Sequence, residues 1–345
     1  MNFDRIPLPW RARKALAWLA VNRNALSVLA RAFFRPPKYR ILISSAFFGG
    51  VGGVEKLLKT LIESMPDALF HVHAREVRTA GFVPRTRNFL LNWLPRRGSP
   101  LDLYVYFAGG GRPPYLGDDF AFRASIIDTC GADIRDIEEK FDWVAIQTGN
   151  AGRYSGREDK WVLAFPSMRL TFPAAREPVD LPPRYFVTVF NPYSDKLKGG
   201  DAVFRAADHA AVPIVWCYSD KSGLKFDGLT DHPNVIQLKN LSQEALYYVY
   251  EHALAYISFS HSEGLGWSIA EAFYSGLPII SREVGFVTYI KDQPGVFVYR
   301  DEAELFDRVS RPDFEPPRYD YDYLGQNTFE QVFVRIIADA SRGTT

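Results

Sequence analysis

The 345-residue sequence holds only two cysteines, Cys130 and Cys217, far apart and with no C-x-x-C pair. That excludes a disulfide framework and a zinc knuckle, and it fits a reducing compartment. Net charge is nearly absent. The 41 Lys and Arg against 40 Asp and Glu leave +1, so nothing pulls the whole chain toward nucleic acid or strongly acidic partners. Long apolar runs are missing as well. No stretch of about 18 apolar residues occurs, so no membrane-spanning helix is expected. The short apolar run at 15–21 is followed by Asn22, Arg23 and Asn24 rather than by small residues, which does not read as a secretory signal. No repeat of roughly 20–50 residues and no low-complexity tract appears, which argues against a solenoid.

What remains is ordinary globular composition, 47% hydrophobic and 23% charged, at a length that suits two lobes better than one. From residue 39 onward short apolar runs alternate with amphipathic ones. Strands are expected at 39–44, 70–73, 101–107, 125–128, 143–147 and 161–165, with a helix at 54–64 and a helix-like run at 134–140. A proline-rich stretch at 173–184 (Pro173, Pro178, Pro182, Pro183) reads as a linker. The alternation then restarts, with strands at 185–190, 214–218, 235–238, 255–259 and 278–281 and helices at 200–209, 242–252 and 268–274. A last helix is expected at 328–340. Such alternation implies βαβ units and parallel sheets. The expectation is an α/β protein of two Rossmann-like lobes with a cleft between them, residues 36–180 and 181–325. In open parallel sheets ligands sit at the carboxyl ends of strands, near helix N-termini.

Residues 1–35 stand apart. Between 10 and 34 the segment carries Arg11, Arg13, Lys14, Arg23 and Arg31, while Trp18, Leu26, Leu29 and Phe33 recur at helical spacing. A basic amphipathic helix with Trp and Phe can lie in a membrane interface; it can equally pack on the first lobe. A second basic and aromatic stretch, Arg85, Arg87, Phe89, Leu90, Leu91, Trp93, Arg96 and Arg97, favours peripheral contact with an anionic membrane.

Two glycine loops follow strands and open helices. The first, Gly49-Gly50-Val51-Gly52-Gly53-Val54-Glu55-Lys56, fits neither G-x-G-x-x-G nor G-x-x-x-x-G-K-[ST]. It is either a tight turn or a place where backbone approaches a phosphate, a sugar or an acceptor. The second lies in Ser258 to Pro278, where a strand enters a polar loop with Gly264 and Gly266 and then a helix ending at Gly276. Glu263 and Glu271 can each accept bidentate hydrogen bonds from vicinal hydroxyls, the mark of sugars and ribose. For Glu271 a structural alternative stands beside that one: Ser268-x-x-Glu271 has the spacing of a capping box.

The pattern S-x-x-E-G-x-G-x-x-x-x-E-A followed by x-x-x-G-x-P, carried here by Ser260, Glu263, Gly264, Gly266, Glu271, Ala272, Gly276 and Pro278, resembles the signature of the GT4 family of retaining glycosyltransferases with the GT-B fold. The resemblance implies that Glu263 contacts the donor sugar and Glu271 the ribose. It implies too that the backbone of Gly264, Leu265 and Gly266 meets the sugar and diphosphate. Gly52-Gly53-x-Glu55 resembles the family's G-G-x-E loop near the donor phosphates and acceptor. The segment ending at Lys239 resembles the strand before the nucleobase pocket, and Asp142 to Ile146 the last strand of the first lobe. Residues 326–345 would form a C-terminal helix packing across the lobes and returning to the first.

The sequence departs from the family at one cation. Lys198-Gly199 matches its Lys-Gly, but Tyr193 stands where an Arg is expected, and Lys196 is the candidate substitute. An acceptor-side histidine has no clear match; His71 and His73 are weak candidates. The implied chemistry is transfer of a hexose-type sugar from a UDP- or GDP-sugar to a glycan or lipid-linked acceptor. Lys196 and Lys198 would stabilise the leaving diphosphate, without metal or cofactor. A cytoplasmic enzyme of cell-surface polysaccharide or lipopolysaccharide assembly is expected, peripheral on the inner face of the membrane if the basic segments bind lipid. Two rivals remain: a non-catalytic GT-B-like module that binds glycan or protein, and a metal-dependent GT-A-type transferase using Asp320-Tyr321-Asp322 as D-x-D.

Overall fold

A computed structural model describes residues 25–48, 53–77, 84, 86, 88–92, 94, 100–108, 121–129, 132–167, 172–191, 198–219, 231–321, 325 and 327–342. The chain divides into two compact units, one of Met1–Ile146, Ala151–Leu170 and Leu324–Thr345, the other of Gln147–Asn150 and Thr171–Tyr323.

In the first unit, helix α1 (Ala25–Phe34) leads to β1 (Tyr39–Phe48), α2 (Gly53–Ser64), β2 (Ala68–Val77), β3 (Phe89–Leu91), β4 (Pro100–Phe107), β5 (Ala121–Asp128), β6 (Trp143–Ile146) and β7 (Trp161–Leu163). All pairings are parallel, in the order β3-β2-β1-β4-β5-β6-β7. Ile41, Leu42 and Ile43 are fully buried in succession. A strand apolar on both faces needs cover on both faces, which is the condition of a parallel sheet.

The helix-like run at 134–140 proves to be mostly turn. Only Glu138–Lys140 forms a short 3-10 helix. Glu138 is buried there because its carboxylate accepts from Ser155 Oγ and from the Gly156 N–H, at 2.5 and 3.0 Å. The stretch containing Phe89, Leu90 and Leu91 is corrected too. These three residues form the buried edge strand β3, with Leu90 packed against Ala25 and Val28 of α1 and Phe89 against Phe48, so they face protein and not lipid; Arg85, Arg87, Trp93, Arg96 and Arg97 of that stretch lie outside the described residues.

The second unit runs β8 (Phe186–Val189), α3 (Gly200–Ala207), β9 (Ile214–Tyr218), β10 (Val235–Lys239), α4 (Gln243–His252), β11 (Ala255–Ile257), α5 (Trp267–Tyr274), β12 (Ile279–Ser281), α6 (Val287–Ile290), β13 (Val296–Val298) and α7 (Glu302–Ser310). Its six parallel strands lie in the order β10-β9-β8-β11-β12-β13. Local chemistry sets the boundaries. Ser242 caps α4 by accepting from Ala245 N–H, and Asp301 caps α7 by accepting from Glu304 N–H. Gly276, at φ +77°, ends α5: its N–H reaches Phe273 O and Leu277 N–H reaches Ala272 O, the paired bonds of a Schellman turn.

The last helix, α8 (Phe329–Arg342), belongs to the first unit. It buries Phe329, Val332, Phe333, Ile336 and Ile337, and the Phe329 ring lies 6.3 Å from that of Phe107 on β4. Phe165 donates to Asn327 O and accepts from Phe329 N–H, both at 2.8 Å, which ties the returning chain beside β7. Among the described residues no helix is long and apolar enough to cross a membrane.

Candidate functional site

Both sheets have the same internal order: the first strand in sequence sits between the second and the fourth. In such sheets the connections leave the first and fourth strands toward opposite faces, opening a crevice at their carboxyl ends. In the second unit those strands are β8 and β11. The loops that follow them carry Lys198 and Glu263.

The structure brings these two side chains together across 65 residues of sequence. Lys198 Nζ donates to Glu263 Oε1 at 2.5 Å, with the side chains only 22% and 13% exposed. The surrounding backbone accounts for the placement. Gly199 caps α3 at φ +68°, and a Cβ there would meet Phe259 O at 2.6 Å, so Lys198 is held against the end of β11. On the other side, Gly285 sits at φ +51° directly over the loop. A Cβ on it would lie 2.5 Å from Leu265 O and 2.8 Å from Glu263 Cβ. Phe286 N–H donates to that same Leu265 O at 2.7 Å. Gly285 and Phe286 were not singled out in the sequence, since only their contact with Leu265 gives them a role.

The helices that start at this crevice, α3 and α5, are both capped by a left-handed glycine with no side-chain cap. In each helix the third N–H turns back to the cap carbonyl, Ala202 to Gly199 O at 3.1 Å and Ile269 to Gly266 O at 3.0 Å, and helix N-termini favour anions. Gly266 is the cap of α5, and Leu265 is buried. This resolves the capping-box alternative. Helix α5 begins at Trp267, so Ser268 lies inside it, and the Ser268 hydroxyl pairs with Tyr256 OH at 2.7 Å instead. Glu271 therefore caps nothing. It is buried one turn further on, where Tyr250 OH donates to Oε2 at 3.3 Å.

Lys239 ends β10 at the far edge of the sheet, exposed, with Nζ 5.9 Å from the Tyr218 ring centre. Three strand spacings separate β10 from β11, about 14 Å at ~4.8 Å each. A group held by Lys239 and one held by Glu263 must belong to a ligand of that span. Asparagines unnoticed in the sequence organise the intervening rim. Asn191 Oδ1 accepts from Ser219 N–H at 2.8 Å, and Asn240, at φ 54°, accepts from Ser219 Oγ at 3.1 Å.

In the first unit, Gly53 is the first residue of α2, while Gly49, Gly50, Val51 and Gly52 lie outside the described residues, as do Lys196 and Tyr193. Lys56, in the first turn of α2, is buried, and that burial, with the nearby Lys59 charge, pushes its ammonium down to about 7. His71 and His73 stand on β2 two residues apart; His71 is buried, and partial burial lowers the pKa of His73. Both belong to the first unit, and the Lys198–Glu263 pair belongs to the second. Of the D-x-D residues, Asp320 has its N–H held by Gln293 Oε1, and Asp322 lies outside the described residues. Among the described residues no group of three or more His, Cys, Asp or Glu is placed to hold a metal ion.

Residues 228–308, which run from before β10 into α7, match the family model for glycosyl transferases group 1. No characterised protein matches the chain significantly by sequence. Solved structures match by fold. A lipopolysaccharide outer core galactosyltransferase, WaaB in its apo form, aligns at TM-score 0.55 and 12% identity over 89% of this chain and 100% of that one. An α,α-trehalose 6-phosphate synthase from Burkholderia multivorans aligns at TM-score 0.56 and 10% identity, covering 89% and 100%. Anabaena HepE, solved with UDP and glucose, aligns at TM-score 0.50 and 11% identity, covering 89% and 99%. The chain thus has the two-sheet GT-B architecture of these proteins, and one segment of it matches the group 1 glycosyl transferase model.

Proposed function

We propose that the protein is a retaining glycosyltransferase that moves a hexose-type sugar from a UDP- or GDP-sugar to a glycan or lipid-linked acceptor. The observation that carries this reading is the Lys198–Glu263 pair, set in the crevice of a Rossmann-type sheet between two helix N-termini without side-chain caps. An ammonium has three N–H donors. Lys198 can therefore keep Glu263 while donating to a phosphate oxygen, and Glu263 keeps a second oxygen for a sugar hydroxyl. The α5 N-terminus at Gly264, Leu265 and Gly266 meets the sugar and diphosphate, Glu271 takes the ribose, and Lys239 lies on the nucleobase side. Negative charge gathering on the leaving β-phosphate is stabilised by Lys198, with Lys196 as its partner and no metal in the step. Residues 181–325 supply this donor site, and residues 36–180, including Gly52 and Gly53, supply the acceptor side.

The match to group 1 glycosyl transferases supports the reaction class, and the UDP and glucose named with HepE support the donor class. A place in cell-surface polysaccharide or lipopolysaccharide assembly, on the cytoplasmic face of an anionic membrane, is favoured by Phe33 and Phe34, each 80% exposed at the end of α1. The test is Lys198→Ala assayed for release of nucleoside diphosphate from candidate donors. Loss of one preorganised cation costs on the order of 2–4 kcal/mol, or roughly 30- to 1000-fold in kcat. Donor Kd should move far less. Unchanged kcat refutes the role. Activity should survive EDTA; its loss would favour a metal-dependent transferase, and tight nucleotide binding without any transfer or hydrolysis would favour the non-catalytic module.

A further inference from the structure

Helix α1 buries Ala25 and Val28 against Leu69 and Leu90 and turns its other side to solvent. Phe33 and Phe34, at its last turn, spend two phenyl rings on water, edge to face at 5.3 Å. Single exposed apolar residues are normal; two adjacent bulky ones at 80% exposure are a contact waiting for a partner. The chain between residues 25 and 42 carries Arg31, Arg35, Lys38 and Arg40 and no acidic residue. Among the described residues Arg31 and Arg35 form no side-chain ion pair.

Beside this turn lies a cavity of about 240 Å³. Arg31, Arg35 and Lys38 line it, with Asp67 the single acidic residue and Asn88 among its other walls. Asn88 is buried, and its amide nitrogen donates to Ile62 O and Met65 O at 3.0 and 2.9 Å. Two carbonyls on that nitrogen fix which way the amide points, since an oxygen could not face them. The remaining Asn88 Oδ1 is buried with no hydrogen-bond donor among the described residues. The cavity thus offers three cations next to two exposed rings, while Asn88 Oδ1 stays closed to solvent.

We propose that this cavity is a headgroup site for an anionic phosphodiester lipid, with Arg31, Arg35 and Lys38 on the phosphate and Phe33 and Phe34 entering the acyl boundary. It rests on the membrane contact proposed above and gives that contact a location and a chemistry. The ligand is matched at both ends: cations for the phosphate, and an apolar pair where its chains begin.

The test is sedimentation of the full chain with phosphatidylglycerol-containing vesicles and with pure phosphatidylcholine vesicles. Wild type should bind the anionic vesicles and prefer them strongly. Arg31→Ala with Arg35→Ala should lower partitioning about 30-fold, two basic contacts at about 1 kcal/mol each. Phe33→Ser with Phe34→Ser should abolish binding. Lys140→Ala with Arg153→Ala, which removes the same charge from exposed positions elsewhere in the unit, should change partitioning less than threefold. Matched melting curves verify that each variant is folded. Wild type that binds neither vesicle overturns the membrane reading and this site with it. Wild type that binds, with both charge variants losing equally or neither losing, overturns the site alone. Inorganic phosphate that protects the cavity arginines while vesicles bind unchanged points to a free phosphate and likewise overturns it.

Discussion

Replacing Gly285 with alanine is the sharpest perturbation the structure offers, because the glycine touches the proposed sugar carboxylate only through backbone. A Cβ at that position would stand 2.5 Å from Leu265 O and 2.8 Å from Glu263 Cβ. An ordinary carbon–oxygen contact is about 3.3 Å, so the 263–265 loop must retreat by about 0.8 Å. No rotamer change can absorb this, since the clash is with a carbonyl and a Cβ. The φ of +51° adds about 1–2 kcal/mol of left-handed strain for alanine, and overpacking adds about 1–3 kcal/mol. The total, about 2–5 kcal/mol, corresponds to a melting point lower by roughly 5–15 °C for a unit of this size. Displacement of a binding carboxylate by close to 1 Å costs on the order of 100-fold in rate. Gly285→Ala should therefore remain folded near room temperature yet lose about two orders of magnitude in kcat/KM for nucleoside diphosphate release. Gly152→Ala is the control: its Cβ would meet nothing nearer than a Trp161 ring carbon at 4.0 Å. Wild-type kcat/KM in a folded Gly285→Ala chain would refute the reasoning.

Other outcomes follow from the same geometry. Lys56 sits at about 7 in the folded chain against its ordinary 10.5, so the unfolded chain binds more protons between those values. Stability should rise with pH across that window, by at most about 1.4 kcal/mol per unit. Lys56→Met should remove this rise; equal pH slopes in urea melts of the two chains would contradict the buried charge. Ser268 serves Tyr256 and not a cap, so a double-mutant cycle of Ser268→Ala with Tyr256→Phe should show coupling of about 0.5–1.5 kcal/mol. The cycle of Ser268→Ala with Glu271→Gln should show little, and strong coupling there would restore the capping box. Glu271→Gln should raise the KM for donor with a smaller change in kcat, measured by initial rates; a pure kcat loss would argue against a ribose contact.

Much of the architecture was legible because parallel strands buried on both faces read as short apolar runs between amphipathic helices. The runs around Ile41, Val105, Val215 and Ile257 all became central strands. The three-residue edge strands β3 and β13 were missed, being too short to show any period. Helix α7 was passed over although Asp301 and Glu304 carry a legible N-terminal signal. Of the 10–34 stripe, Leu29 does pack against the core beneath α1, but Val28 takes the buried place beside it and Phe33 is left in solvent. At the candidate site, Glu263, Glu271 and Lys198 stood out from a resemblance, but their relations did not. The pairing of Lys198 with Glu263, the hold of Tyr250 on Glu271 and the pressure of Gly285 on Leu265 are contacts between distant segments. No local propensity encodes them.

The most direct test is a crystal structure with a nucleotide-sugar bound. The account predicts a diphosphate oxygen within hydrogen-bond reach of Lys198 Nζ, near the start of α5, with a sugar hydroxyl on Glu263 and the ribose at Glu271. A donor lodged elsewhere, with the Lys198–Glu263 pair untouched, would contradict it.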